Sequence, residues 1–218
     1  MAKLNLIIAN KNYSSWSLRP WLAMTITGIE FDETLILLDT PDTKKQIAEH
    51  SKAGRVPVLR HGNVTIWETL AILEYLAETF PEKNLWPKAQ AARAMARAVS
   101  NEMHAGFSSL RNACPMNLRR LPKPIALSEE IKADIARIED IWRDCRQAYG
   151  KGGEFLFGSF CIADAMFAPV VARFETYAIP VAKDSRAYMD TVLATPAFQK
   201  WKSAALKETW ILPHDEVD

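Results

Sequence analysis

The sequence predicts two unlike parts: a small α/β unit over residues 1–80 and an all-helical unit over residues 88–218. Three observations carry this. Before Pro81, short apolar runs of strand length alternate with helical periodicity. After Pro87, the apolar spacing is helical almost throughout. The first three elements also read β-α-β, a crossover that makes its two strands parallel and the connection right-handed. Of the 218 residues 49% are hydrophobic and 24% charged, which supplies a core to each part and argues against disorder.

Residues 4–9 form an apolar run of strand length. Leu18, Trp21, Leu22, Thr25 and Ile26 then recur at the spacing of an amphipathic helix. Ser14, Ser15 and Ser17 offer oxygens to its start, Pro20 is expected in a tolerant early turn, and Gly28 is its stop. Residues 31–38 read as the second strand and 42–50 as a short polar helix. A strand interrupted by Pro57, the turn His61-Gly62-Asn63 and a further strand at 64–67 make a hairpin. From Thr69, an apolar face of Leu70, Leu73, Tyr75, Leu76 and Phe80 gives a helix closed by Pro81. The order β-α-β-α-β-β-α is that of a thioredoxin-like domain.

The second part is read as helices over 88–111, 128–149, 162–177, 184–194 and 197–207. Ser128 with Glu129 and Glu130 is a strong helix start. Residues 162–177 are the most apolar and are the expected centre of the helical core.

Composition narrows the function. A formal net charge of +1 provides no field for nucleic acid or an anionic membrane, and the cluster Arg119, Arg120, Lys123 reads as solvated surface. No apolar run approaches the ~20 residues of a membrane span, and no secretory leader is read at the start. Cys114, Cys145 and Cys161 have neither metal-ligand nor redox-pair spacing, so the expectation is a reducing cytoplasm, no disulfide framework and no metal.

Four segments resemble the glutathione transferase superfamily, and together they span nearly the whole chain. Ser14-Ser15-Trp16-Ser17-Leu18-Arg19 is similar to the Ser-Ser-Cys-Ser-x-Arg stretch of zeta-class, serine-type transferases. Arg55-Val56-Pro57-Val58-Leu59 is like the family's Val-Pro-x-Leu with its cis-proline. The run from Glu68 to Leu76 resembles Glu-Ser-x-Ala-Ile-x-x-Tyr-Leu, and Ile162-Ala163-Asp164 a helix-capping motif. The resemblance implies the glutathione transferase architecture, a thioredoxin-like glutathione-binding domain with an all-helical domain contributing the electrophile site. It also implies a homodimer, and glutathione as co-substrate in a detoxifying transferase.

It further implies a site. Ser14, or alternatively Ser15, stands at a helix start where unpaired N–H groups and the helix dipole favour a thiolate, although capping that helix is the ordinary work of serine there. Arg55, Val56 and Pro57 are expected to meet the tripeptide, with Val56 pairing as an added strand does. Glu68 and Thr69 are expected to hold its γ-glutamyl end through the amino group, the helix N–H groups and the Thr69 hydroxyl. Trp16, Met103, Phe107 and Arg111 are the candidates for the electrophile, and Arg19 reads as a structural ion-pair partner. Cys161 stands where a Ser or Thr caps, so a looser cap is expected.

The leading reading is thiol attack on an electrophilic carbon. A glutathione-dependent cis–trans isomerase of the maleylacetoacetate type is the alternative, weakened by Trp16 in place of cysteine and by Pro20-Trp21 after Arg19. A non-catalytic ligand-binding protein of the same fold is the third.

Overall fold

The computed structural model describes residues 2–217. A four-stranded sheet holds β1 (Leu4–Ala9), β2 (Asp32–Ile36), β3 (Val58–His61) and β4 (Val64–Trp67) in the order β2-β1-β3-β4. β1 and β2 run parallel, joined through α1 (Ser15–Thr27), while β3 is antiparallel to both β1 and β4. The short helix α2 (Thr43–Ala48) precedes β3, and α3 (Thr69–Thr79) follows β4. This is the thioredoxin-like pattern. Leu6 and Ile8 face one core, with Leu18, Leu22, Ile72 and Leu76, while Ile7 turns to Ile36, Ile47 and Val58 on the opposite face. That is the two-residue alternation of a strand buried on both sides.

The chain then crosses into helices α4 (Gln90–Ala105), α5 (Ser108–Ala113), α6 (Glu129–Tyr149), α7 (Ile162–Thr176), α8 (Lys183–Ala194) and α9 (Pro196–Ala205). α7 is the axle: every residue but Glu175 is buried, and α1 and α4 pack against it. The helix expected over 88–111 is broken in two. Gly106 closes α4, its N–H bonding the Glu102 carbonyl, and Phe107 turns through φ 59° before α5 begins. Among the described residues no helix is long and apolar enough to cross a membrane.

Two local expectations are revised. Pro20 lies in the second turn of α1, not its first, so the carbonyl four residues earlier, on Trp16, loses its helical partner. The cluster Arg119–Arg120 is not a solvated patch. Arg119 donates to the Tyr13 hydroxyl at 2.6 Å and the Trp210 carbonyl at 2.8 Å, and Arg120 donates to the Val217 and Thr176 carbonyls. These bonds draw the C-terminal segment back across the molecule.

The three cysteines are free and buried. Burial pushes Cys114 up to about 11 and Cys145 up to about 12, and it raises Cys161 as well, which keeps all three as inert thiols. The helix start at Cys161 is secured by Asp164. The Asp164 carboxylate accepts the Cys161 N–H at 2.8 Å, and it also takes the Leu156 N–H at 3.0 Å and the Tyr188 hydroxyl at 3.2 Å.

Candidate functional site

Between the two parts lies a cleft of about 380 Å³ lined by Trp16 of α1, the Arg55–Pro57 turn, Trp67 to Thr69, and His104, Ala105 and Arg111 of the helical part. Its walls come from chain ends of regular elements, where backbone groups are left without ladder partners.

At the start of α1, Ser14 is the N-cap. Its hydroxyl oxygen faces the Ser17 N–H at 3.4 Å, and its proton goes to the Ser17 hydroxyl at 2.8 Å, which in turn is held by the Ala9 N–H at 3.1 Å. The Ser15 N–H bonds the Tyr13 carbonyl. That leaves the Trp16 backbone N–H without a partner among the described residues, in a residue that lines the cleft. Ser14 and Ser15 are 9% and 8% exposed and stand just behind Trp16, outside the set that walls the cleft. The Ser15 hydroxyl bonds no described group. Tyr13, the neighbouring hydroxyl, is bound between Arg119 and Glu216, and burial raises its pKa, so it offers no free proton.

At the start of α3, Glu68 occupies the N-cap with φ 68°, an uncommon angle for a residue with a side chain, and its carboxylate does not cap the helix. The Thr69 N–H is consequently open. The Thr69 hydroxyl is not: it donates to the Trp16 carbonyl at 3.1 Å, the acceptor that Pro20 set free. So the expected hydroxyl donor at Thr69 is replaced by a strut that joins the two helix starts. Both positive helix ends therefore open on one cleft. Opposite them, the Val56–Pro57 bond is cis, and the Val56 N–H and C=O pair with no described group. Arg55 is exposed at the rim.

The helical wall is more cationic and less apolar than the sequence reading. Met103 and Phe107, expected to meet the electrophile, are in the core at 0% and 7% exposure and do not line the cleft. The apolar stripe of α4, Ala92, Ala96, Val99 and Met103, is spent on packing, and the next residues round the helix, His104 and Ala105, take the cleft. Arg19 is not an ion-pair partner. It is fully buried, donates to the Met166 carbonyl and the Ser15 carbonyl at 3.0 Å each, and lies 4.2 Å from the Trp16 ring. Burial, with Arg173 and Arg111 nearby, lowers its pKa well below the arginine range.

Arg111 lies 4.9 Å from the same ring and donates only to the carbonyls of His104 and Gly106. Trp16 is thus the partner of two guanidinium groups and, edge-on at 5.1 Å, of the His104 imidazole. Burial lowers the His104 pKa against the opposing pull of Glu68, which favours the neutral ring. Trp67, half exposed beside Glu68, and His104 were not singled out by sequence. An aromatic at a strand end before an acidic cap was the available signal for the first; the second lay one step off the apolar stripe.

Residues 13–79 match the family described as "Glutathione S-transferase, N-terminal domain". A "Probable maleylacetoacetate isomerase" of Caenorhabditis elegans is 34% identical over 99 residues, covering 45% of this chain and 46% of that protein. "Glutathione S-transferase 1" of Dianthus caryophyllus is 26% identical, covering 83% of this chain and 82% of that one. A solved glutathione transferase homolog from Burkholderia, with bound glutathione, superposes with a TM-score of 0.71 at 22% identity, covering 93% of this chain and 98% of that one. The class is therefore plain: a thioredoxin-like domain joined to an all-helical one, the glutathione transferase architecture. The matched segment and the relatives support the glutathione transferase superfamily.

Proposed function

We propose that this chain binds glutathione in the cleft and activates its thiol for attack on an electrophilic substrate. The observation that carries the reading is the pair of open helix starts, with unpaired N–H groups on Trp16 and Thr69, facing the unpaired backbone of Val56. Glutathione has the complementary groups in the same order. Its γ-glutamyl carboxylate suits the α3 start at Thr69, with its ammonium on Glu68. Its cysteinyl N–H and C=O suit Val56, and its glycyl carboxylate suits Arg55. The thiolate then falls at the α1 start, on the Trp16 N–H and a serine hydroxyl.

Ser14 is the serine assigned to the thiolate, because its side chain sits over the helix end that the Trp16 N–H leaves open. In the free protein its proton is given to Ser17. With a thiolate present, Ser14 turns its proton outward and the Ser17 hydroxyl donates back to the Ser14 oxygen, so the pair reverses its sense at no loss of bonds. A thiol next to these donors has a lowered pKa and a larger reactive fraction at neutral pH. Retention on immobilised glutathione, followed by turnover of an aryl halide, tests the reading; failure to bind would end it.

One observation favours an acidic co-substrate, as an isomerase of the maleylacetoacetate type would take. Arg111 presents a guanidinium to the cleft with no carboxylate of the described chain to neutralise it. Arg111→Leu is expected to raise KM for a carboxylate-bearing electrophile or a maleyl compound by about tenfold, the worth of one charge-assisted hydrogen bond. A neutral aryl halide should be turned over unchanged. Equal effects on both would remove the acidic preference. We further propose a two-fold homodimer, on family resemblance; a monomeric mass by light scattering refutes it.

A further inference from the structure

The loop between β1 and α1, which leads to Ser14 and Trp16, is braced by the other half of the molecule. Each backbone group of Lys11 and Asn12 bonds outside the sheet. The Lys11 N–H donates to the Glu208 carboxylate at 2.7 Å and the Asn12 N–H to its second oxygen at 3.0 Å. The Lys11 carbonyl accepts the Trp201 indole N–H at 2.9 Å, and the Asn12 carbonyl accepts the Leu118 N–H at 3.4 Å. The Asn12 side chain donates to Asn117 at 2.9 Å and accepts the Arg119 N–H at 2.8 Å. The sheet half holds the rest of the loop, through the Tyr13 and Ser14 N–H groups on the Asn10 carbonyl and the Lys11–Glu33 ion pair, so the backbone of Lys11 and Asn12 is the part that the helical half sets.

Glu208 is the centre of this arrangement. It follows α9, and one carboxylate spans two successive N–H groups, the way an anion is held in a backbone nest. Arg119 fixes its backbone by donating to the Glu208 and Trp210 carbonyls while also gripping Tyr13, the residue before Ser14. Trp210 anchors the same segment to the sheet half through the Leu38 carbonyl at 2.9 Å, and Glu216 closes on Tyr13 and Asn117. The segment 206–217 is therefore a strap on the loop, and none of its residues walls the cleft.

Resting on the glutathione reading, we propose that Glu208 is a positioning residue for thiol activation: it sets the loop that aims the Ser14 hydroxyl and the Trp16 N–H at the thiolate. It touches no substrate. Its action is through two amides, two and three residues before Ser14, and through the strap that those bonds secure. Removing the carboxylate leaves two N–H groups seeking partners, and the loop then relaxes towards whatever acceptors it finds.

The test follows the ionisation of bound glutathione by its thiolate absorbance in the full-length protein, as a function of pH, in the wild type, Glu208→Ala and Glu208→Gln. The expected result is a raised pKa for the bound thiol in Glu208→Ala, with about a tenfold lower kcat/KM at neutral pH that recovers at alkaline pH. KM for glutathione should be little changed, because Val56, Glu68 and Arg55 are untouched. Glu208→Gln keeps an acceptor for one amide and is expected to fall between. An unchanged thiol pKa in Glu208→Ala, even with a lower melting temperature, would show Glu208 to be structural only and overturn the assignment. If Glu208→Ala does not fold, Glu208→Gln alone decides. Absence of thiolate in the wild type would overturn the glutathione reading and this one with it, whereas thiolate in the wild type and equally in both variants overturns this one alone.

Discussion

Ser14→Ala is expected to lower kcat/KM for conjugation at neutral pH by roughly 10- to 100-fold, the loss of one hydrogen bond to a charged sulfur worth about 1.5–3 kcal/mol. The same change removes the N-cap of α1, whose oxygen takes the Ser17 N–H, so the variant should also lose about 1 kcal/mol of stability. The two effects are separable. Ser14→Gly restores most of the cap preference but no hydroxyl, and should remain slow. Ser14→Thr restores the hydroxyl and should recover rate. Ser15→Ala removes a hydroxyl that bonds no described group, and should leave both rate and melting temperature close to the wild type. The measurement is the pH dependence of kcat/KM across the set, with the limb of thiol ionisation displaced upward in Ser14→Ala. Full activity in Ser14→Ala with a slow Ser15→Ala would transfer the role to Ser15.

Most of the fold was legible because it is written in short-range patterns. The alternation at Leu6, Ile7 and Ile8, the periodic Leu18, Trp21 and Leu22, the Ser128 start and the apolar run of α7 all fix elements locally. What escaped was decided by geometry between distant segments. The span 88–111 read as one helix, yet the chain ends α4 at Gly106, and Arg111 lines the cleft while Phe107 does not. Arg19 looked like half of an ion pair, but the acceptors that await it are carbonyls of α1 and α7, which no side-chain pattern announces. The role of Pro20 is likewise visible only in three dimensions. The carbonyl it frees on Trp16 is met by Thr69, 53 positions away, and that bond draws the two helix starts together. Open N–H groups at the first helix start were legible, but that Trp16 is one left open follows from backbone pairing, with the Ser15 N–H taken by the Tyr13 carbonyl.

The other large effect belongs to folding. Asp164 is fully buried, and its carboxylate receives three donors, from Leu156, Cys161 and Tyr188. Asp164→Ala orphans all three, and at about 1–3 kcal/mol for each unsatisfied buried group, the expected loss is of order 3 kcal/mol or more. For a chain of this size that is a fall in Tm of about 10 °C, measured by calorimetry, with the activity of the folded fraction unchanged. Asp164→Asn keeps one acceptor oxygen but turns an NH₂ towards a donor, so it too should be destabilised, by less. Burial pushes the Asp164 carboxyl up to about 6 from an ordinary value of 3.8, against the pull of its three donors. The sign follows from linkage. The folded state binds this proton more tightly than the unfolded chain does, so the contribution of Asp164 is full below pH ~4 and declines as pH rises through 6. The stability gap between the wild type and Asp164→Asn should therefore be wider at pH 4.5 than at pH 7.5. A gap that widens towards neutral pH would mean that the three donors outweigh burial, with the carboxyl held below its ordinary value.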